Sequence, residues 1–166
     1  MTAEDDGFEE FFRASWPRLF RTAYVVTGDH QAAEDAVQVA MVRVCARWSR
    51  VRRMESPEAY LRRVVVNECL GRLRRRALRR ETPTELSSLD RADTTAEHAG
   101  PSDLWEAVRG LPPRQRAVVV LRYYEGLSEA EIAEALGCRP GTVKSQASAA
   151  LAHLRTRVRL TEGEQA

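Results

Sequence analysis

Residues Gly126 to Leu154 read GLSEAEIAEALGCRPGTVKSQASAALAHL, and their spacing predicts two short helices that meet at a tight turn. Ser128 with Glu131 three residues on forms a capping box, which opens the first helix. Ile132, Ala133 and Leu136 recur at helical spacing, and Gly137 follows where a left-handed residue lets the chain reverse. Pro140 suits a first helical turn, and Val143, Ala147, Ala150, Leu151 and Leu154 mark the buried stripe of the second helix. At about 100° per residue from Val143, the free face carries Lys144, Ser145, Ser148, Ala149 and Ala152. A second helix that offers Thr142, Lys144 and Ser145 to solvent is what a helix-turn-helix places in the major groove. An ordinary helical hairpin is the alternative.

Just upstream, DLWEAVRGL (Asp103 to Leu111) predicts a short helix with Leu104, Trp105 and Val108 inward. Pro113 starts another, whose Val118, Leu121 and Tyr124 pack on the helix-turn-helix to complete a four-helix unit. The tail after Leu154 is expected to dissolve into disorder over Thr161 to Ala166, and Met1 to Gly7 to fray. Between the two halves, residues 81–102 lose apolar periodicity and are mainly acidic (Glu81, Glu85, Asp90, Asp93 and Glu97 against Arg91), which reads as a flexible linker.

The first half is helical as well. Phe8, Phe11, Phe12, Leu19, Phe20 and Ala23 repeat at three and four residues, with Pro17 expected to break or kink the helix. Gly28 and Asp29 punctuate the chain before a long helix from about His30 to Trp48, with Ala33, Val37, Ala40, Met41, Val44 and Trp48 inward and Glu34, Asp35 and Gln38 outward. Ser56 and Pro57 start the next helix, on which Tyr60, Leu61, Val64, Val65 and Leu73 form the apolar stripe. The expected architecture is all-α, with small domains at 8–80 and 103–157.

Net charge is only +2, but its distribution is uneven. Residues 43–80 hold thirteen arginines against Glu55, Glu58 and Glu68, a local excess of ten, which is the electrostatic footprint of a polyanion-binding surface. Arg62, Arg63 and Asn67 share a sector of the helix. Tyr60 and Trp48 interleave aromatic surface with the arginines, so that unpaired bases could stack while phosphates are neutralised.

Other chemistries find little support. Cys45, Cys69 and Cys138 are odd in number and show no paired spacing, so they read as buried thiols in a reducing cytoplasm rather than a disulfide or zinc framework. His30, His98 and His153 are isolated, and there is no Gly-rich phosphate loop after a strand. The reading is of a protein that is not an enzyme, with no metal, cofactor, membrane span or export signal.

AEDAVQ (Ala33 to Gln38), AYLRRVVVNECLGRLRRR (Ala59 to Arg76) and LPPRQRAVVVLRYYEGLSEAEIAEALGCRPGTVKSQ (Leu111 to Gln146) together resemble a bacterial RNA polymerase sigma factor of the extracytoplasmic-function class, over roughly residues 8–157. GTVKSQ is similar to a subgroup found in actinobacteria. The resemblance implies docking on core RNA polymerase through Asp35 and Gln38, which would meet the clamp coiled coil of the largest subunit. Val39 stands where relatives usually carry Glu. It further implies that the first domain melts and reads the minus-ten promoter element: Asn67 lines a pocket for a flipped non-template base, with Tyr60, Arg62 and Arg63 beside the same strand. In the second domain Arg116, Thr142, Lys144, Ser145, Gln146 and Ser148 would read the minus-thirty-five element, while Ala149 and Leu151 replace arginines common in relatives. The linker would thread toward the RNA exit channel, and an anti-sigma protein is a further partner that such a factor admits. Two rivals remain, a conventional helix-turn-helix regulator and a polymerase- or inhibitor-binding protein without initiation activity.

Overall fold

The computed structural model describes residues 7–81 and 103–164, with side chains described over 7–79 and 104–157. The described residues contain helices and turns and no strand. They divide into two compact units, one over the described residues 7–81 and the other over 103–164. Most of the expected linker, residues 82–102, lies outside the described residues, as do Met1 to Asp6.

In the first unit α1 (Phe8–Thr27) packs on α2 (His30–Cys45), and both pack on α4 (Pro57–Glu81). α1 buries Leu19, Ala23 and Val26 and α2 buries Ala33, Ala36, Val37, Ala40 and Val44, small and branched side chains that let the helices lie close. Pro17 does not break α1, which runs through it. The proline is exposed, so the carbonyl it deprives of an N–H partner can be met by water. Between α1 and α2 the backbone N–H of Gly28 bonds to the Tyr24 carbonyl oxygen, and the Asp29 carboxylate caps α2 by accepting from the Ala32 N–H at 2.6 Å.

Two expectations for this unit are corrected. The second helix stops at Cys45 instead of reaching Trp48, because Arg47 leaves the helical region at φ −126°, ψ 17°. The break restarts the chain as a single turn, α3 (Trp48–Val51), which aims Trp48 into the core between Phe8 and Phe11 at ring-centre distances of 5.4 and 5.0 Å. On α4, which the Ser56 hydroxyl caps by accepting from the Ala59 N–H, the buried arc is Leu61, Val65, Val66, Glu68 and Cys69. Tyr60, Val64 and Leu73 lie at its half-buried edges.

The second unit is built on α8 (Pro140–Glu164), against which α5 (Asp103–Arg109), α6 (Pro113–Val119) and α7 (Glu129–Leu136) pack. The capping box is present in full: Ser128 Oγ accepts from the Glu131 N–H, and Glu131 Oε2 accepts from the Ser128 N–H at 2.8 Å. Gly137 ends α7 at φ +62°, a conformation that a β-carbon makes costly. Gly110, after α5, leaves room for the Arg157 guanidinium of α8, with which an alanine β-carbon would collide. Ile132, Ala133, Ala135 and Leu136 face inward, as do Val143, Ala147 and Ala150, while Leu151 and Leu154 are half-buried.

Three expectations fail here for geometric reasons. After α6 the chain widens into a π-helical turn over Val120–Tyr124, closed by the Glu125 N–H on the Val120 carbonyl oxygen. The widened turn shifts the helical phase, so that Tyr124 is exposed and Glu125 buried. Leu104 is also exposed, because Ala107 and Leu111 supply the inward contact of this short segment. Finally, α8 continues to Glu164, so Thr161 to Glu164 are helical where disorder was expected.

The cysteines differ from one another: Cys69 is buried, Cys138 half-buried and Cys45 exposed. Burial, reinforced by the neighbouring Glu68 charge and only partly opposed by Arg72, pushes the Cys69 thiol up to about 12. Because the thiolate is the nucleophile, Cys69 stays protonated and inert at neutral pH. Mass spectrometry after brief iodoacetamide treatment of the native protein is expected to find Cys45 labelled and Cys69 untouched until the protein unfolds. No described helix is long and apolar enough to cross a membrane, and no described group of three or more metal-binding side chains converges.

Candidate nucleic-acid and docking surfaces

The residues singled out in the sequence fall into three sets, two in the first unit and one in the second. On α4, Arg63 and Asn67 are exposed one turn apart, with Arg62 and Tyr60 half-buried beside them. Tyr60 forms one wall of an open pocket of about 320 Å³, whose other walls are Arg47, Arg50, Val51 and Met54. An aromatic residue, two apolar ones and two arginines in one lining suit a planar ligand held beside phosphate. Asn67 is not among the residues lining this pocket. Of the two expectations for Trp48, the inward one holds and the stacking surface does not, since its ring packs against Phe8 and Phe11 in the core.

The arginines of residues 43–80 divide by what they touch. The Glu68 carboxylate, only 7% exposed, gathers three of them: Arg43 of α2 at 3.0 Å, and Arg72 and Arg75 of α4 at 3.2 and 3.1 Å. Of these, the Arg43 pair ties α2 to α4, and the other two lie within α4. By contrast Arg47, Arg50, Arg52 and Arg53, on α3 and the turns either side of it, are exposed, Arg47 and Arg50 lining the Tyr60 pocket, where they can neutralise an incoming polyanion. Sequence reasoning counted Glu68 only as an offset to the local charge; its spacing to Arg72 and Arg75, one and two turns on, was the available signal.

On α2, Gln38 is exposed and its side-chain amide donates to Glu34 at 3.3 Å. Asp35 is held on both sides: Oδ1 accepts from the Gln31 amide at 2.9 Å, and Oδ2 pairs with Arg72 of α4 at 3.3 Å. Val39 is half-buried at the edge of this face, and Val42, one turn beyond Gln38, is exposed.

In the second unit α8 presents Lys144, Ser145 and Ser148 to solvent, with Thr142, Gln146 and Ala149 half-buried alongside. The Ser145 hydroxyl donates back to the Thr142 carbonyl oxygen at 2.9 Å. Arg116 does not join this surface. It is 9% exposed, and its Nη2 donates to the carbonyl oxygens of Arg109 and Leu111 at 2.8 and 3.0 Å, tying off the end of α5. Burial, and then the nearby Arg109 charge, lower its affinity for its proton. A sequence pattern places Arg116 one helix away from the recognition helix but cannot tell that its guanidinium turns inward.

Comparison with known proteins agrees with this division. The family model for Sigma-70 region 2 matches residues 11–79, and that for Sigma-70, region 4 matches residues 102–154. The chain is 42% identical over 149 residues to the RNA polymerase sigma-E factor of Streptomyces avermitilis, covering 89% of this chain and 83% of that one. It is 35% identical over 147 residues to the ECF RNA polymerase sigma factor SigM of Mycobacterium tuberculosis, covering 89% and 74%. Among solved structures, the sigma factor RpoE of Bartonella quintana, crystallised with the anti-sigma factor NepR, has the same fold, with a TM-score of 0.70 at 24% identity over 92% of this chain and 96% of that one.

Proposed function

The chain belongs to the sigma-70 family of RNA polymerase sigma factors, in its extracytoplasmic-function group, and from that premise we propose how its residues divide the work of transcription initiation. It binds core RNA polymerase, directs it to promoters and helps open the DNA. Residues 8–80 dock on the polymerase through Asp35 and Gln38 and engage the minus-ten element through Tyr60, Arg62, Arg63 and Asn67. The Tyr60 pocket, with Arg47 and Arg50 in its lining, suits a base flipped out of the stack, because stacking on the ring would offset part of the cost of unstacking it. Residues 103–157 read the minus-thirty-five element with Thr142, Lys144, Ser145, Gln146 and Ser148, while Arg116 supports that unit from inside. Residues 81–102 join the two, and an anti-sigma protein is a further partner. The protein acts by binding, without a catalytic step of its own, in the cytoplasm where polymerase and promoter DNA meet.

The observation that carries this reading is the presence of both sigma-70 regions in one chain, each on its own helical unit. A conventional helix-turn-helix regulator needs only the second. The test is in-vitro transcription from fragmented genomic DNA by core polymerase with and without the protein, mapping RNA 5′ ends. Discrete new starts sharing two upstream elements are expected. Tight polymerase binding without new starts would favour a pure interaction protein, and sequence-specific DNA binding without polymerase would favour the regulator.

A further inference from the structure

We propose that Arg72 is a positioning residue for polymerase docking: it fixes the Asp35 carboxylate in the orientation offered to the partner. The inference rests on the docking role proposed above for Asp35. Asp35 is 40% exposed, yet both of its oxygens are engaged, one by Gln31 and one by Arg72. Each oxygen keeps a second lone-pair direction, so the carboxylate can still accept from a cationic side chain of a docking protein while its own rotamer is already chosen. Ordering the acid before the encounter removes an entropic penalty from the encounter itself.

Arg72 is suited to this by shape. Its Nη1 reaches Asp35 at 3.3 Å while its Nε reaches Glu68 at 3.2 Å, so one planar guanidinium spans two carboxylates on two helices. The point charge of a lysine cannot do both. Glu68 is in turn immobilised from three sides, by Arg43, Arg72 and Arg75. The buried acid thus anchors the arginine that anchors the exposed acid, and a surface on α2 is held by α4, 37 residues further along the chain. Arg75 provides the contrast: it binds the same Glu68 oxygen at 3.1 Å, a contact made within α4.

The experiment is a competition titration of the full-length protein for core polymerase. Asp35→Asn is expected to weaken binding by about tenfold, by removing a charge from the interface. Arg72→Lys keeps the charge but loses the span, and is expected to weaken binding about fivefold, the effect of ordering one side chain during docking rather than before it. In the Asp35→Asn background, Arg72→Lys is expected to add less than about twofold, because the two residues act as one unit. Arg75→Lys perturbs the same Glu68 carboxylate and should leave affinity within about twofold, with hydrogen exchange of α2 and α4 peptides measured for all variants alongside to separate docking from stability. Equal effects of Arg72→Lys and Arg75→Lys, additive effects of Arg72→Lys and Asp35→Asn, or tighter binding by Arg72→Lys would each overturn the proposal; the last would mean that Arg72 competes with the partner. If Asp35→Asn itself binds as well as the parent, the docking role of Asp35 fails instead.

Discussion

Replacing Glu68 with alanine is expected to destabilise the first helical unit by about 3 kcal/mol, a large share of the roughly 5–15 kcal/mol that holds a small domain folded. Removing one partner of a buried ion pair typically costs about 3–5 kcal/mol, because the other charge is left without compensation. Here three guanidinium groups lose one carboxylate. The lower figure is chosen because Arg43 and Arg75 are 56% and 57% exposed and can swing into water, while Arg72, 30% exposed, loses one of two carboxylates and keeps Asp35. The effect should survive added salt, since screening acts weakly on a buried group. Hydrogen exchange resolved by peptide is the fitting measurement, because the chain holds two units and a single melting curve would mix them. Faster exchange is expected across α2 and α4, with α8 peptides unchanged as an internal reference. Unchanged protection of α4 would show that the apolar contacts of Leu61, Val65 and Val66 suffice without the ionic centre.

The contrast between Glu68 and the helix caps shows which parts of the fold were readable. Ser128 with Glu131, Gly137, Asp29 and Ser56 were all legible because a cap is a local arrangement, complete within three or four residues, and the structure forms each of them. The two-helix reading of residues 126–154 succeeded for the same reason. What failed was the orientation of side chains whose partners are distant or whose helix is irregular. Arg116 was assigned to DNA by its place in a motif, but its guanidinium caps carbonyls at the end of another helix. Tyr124 was placed inward by regular periodicity, and a single π-helical turn reversed it. Trp48 was offered as a stacking surface because it neighbours arginines in sequence, while α3 turns it between two phenylalanines of α1. The excess of arginine was real, but composition could not separate those serving the bundle from those left for a polyanion. That separation depends on Asp35 and Glu68 meeting Arg43, Arg72 and Arg75 across two helices.

Asn67→Ala is expected to flatten the preference at one base of the downstream promoter element by about tenfold while leaving polymerase affinity unchanged, and Tyr60→Ala is expected to do something different. An amide offers a donor and an acceptor to a base edge, and a good contact of that kind discriminates by about 1–3 kcal/mol. A tyrosine ring stacks on any base, contributing about 1–3 kcal/mol with little regard to identity. Tyr60 sits in the pocket wall with Met54 and Val51, whereas Asn67 lies outside that lining, two turns along α4. The two residues therefore separate holding from reading. On a panel of single-base promoter variants, Tyr60→Ala should lower open-complex formation on every member by a similar factor and preserve their ranking. Asn67→Ala should erase the ranking at one position and preserve it elsewhere. If Asn67→Ala instead weakens all members equally, and Tyr60→Ala or Met54→Ala changes the ranking, then the base is read inside the pocket and Asn67 serves only to steady the strand, as a neighbour of Arg63 would.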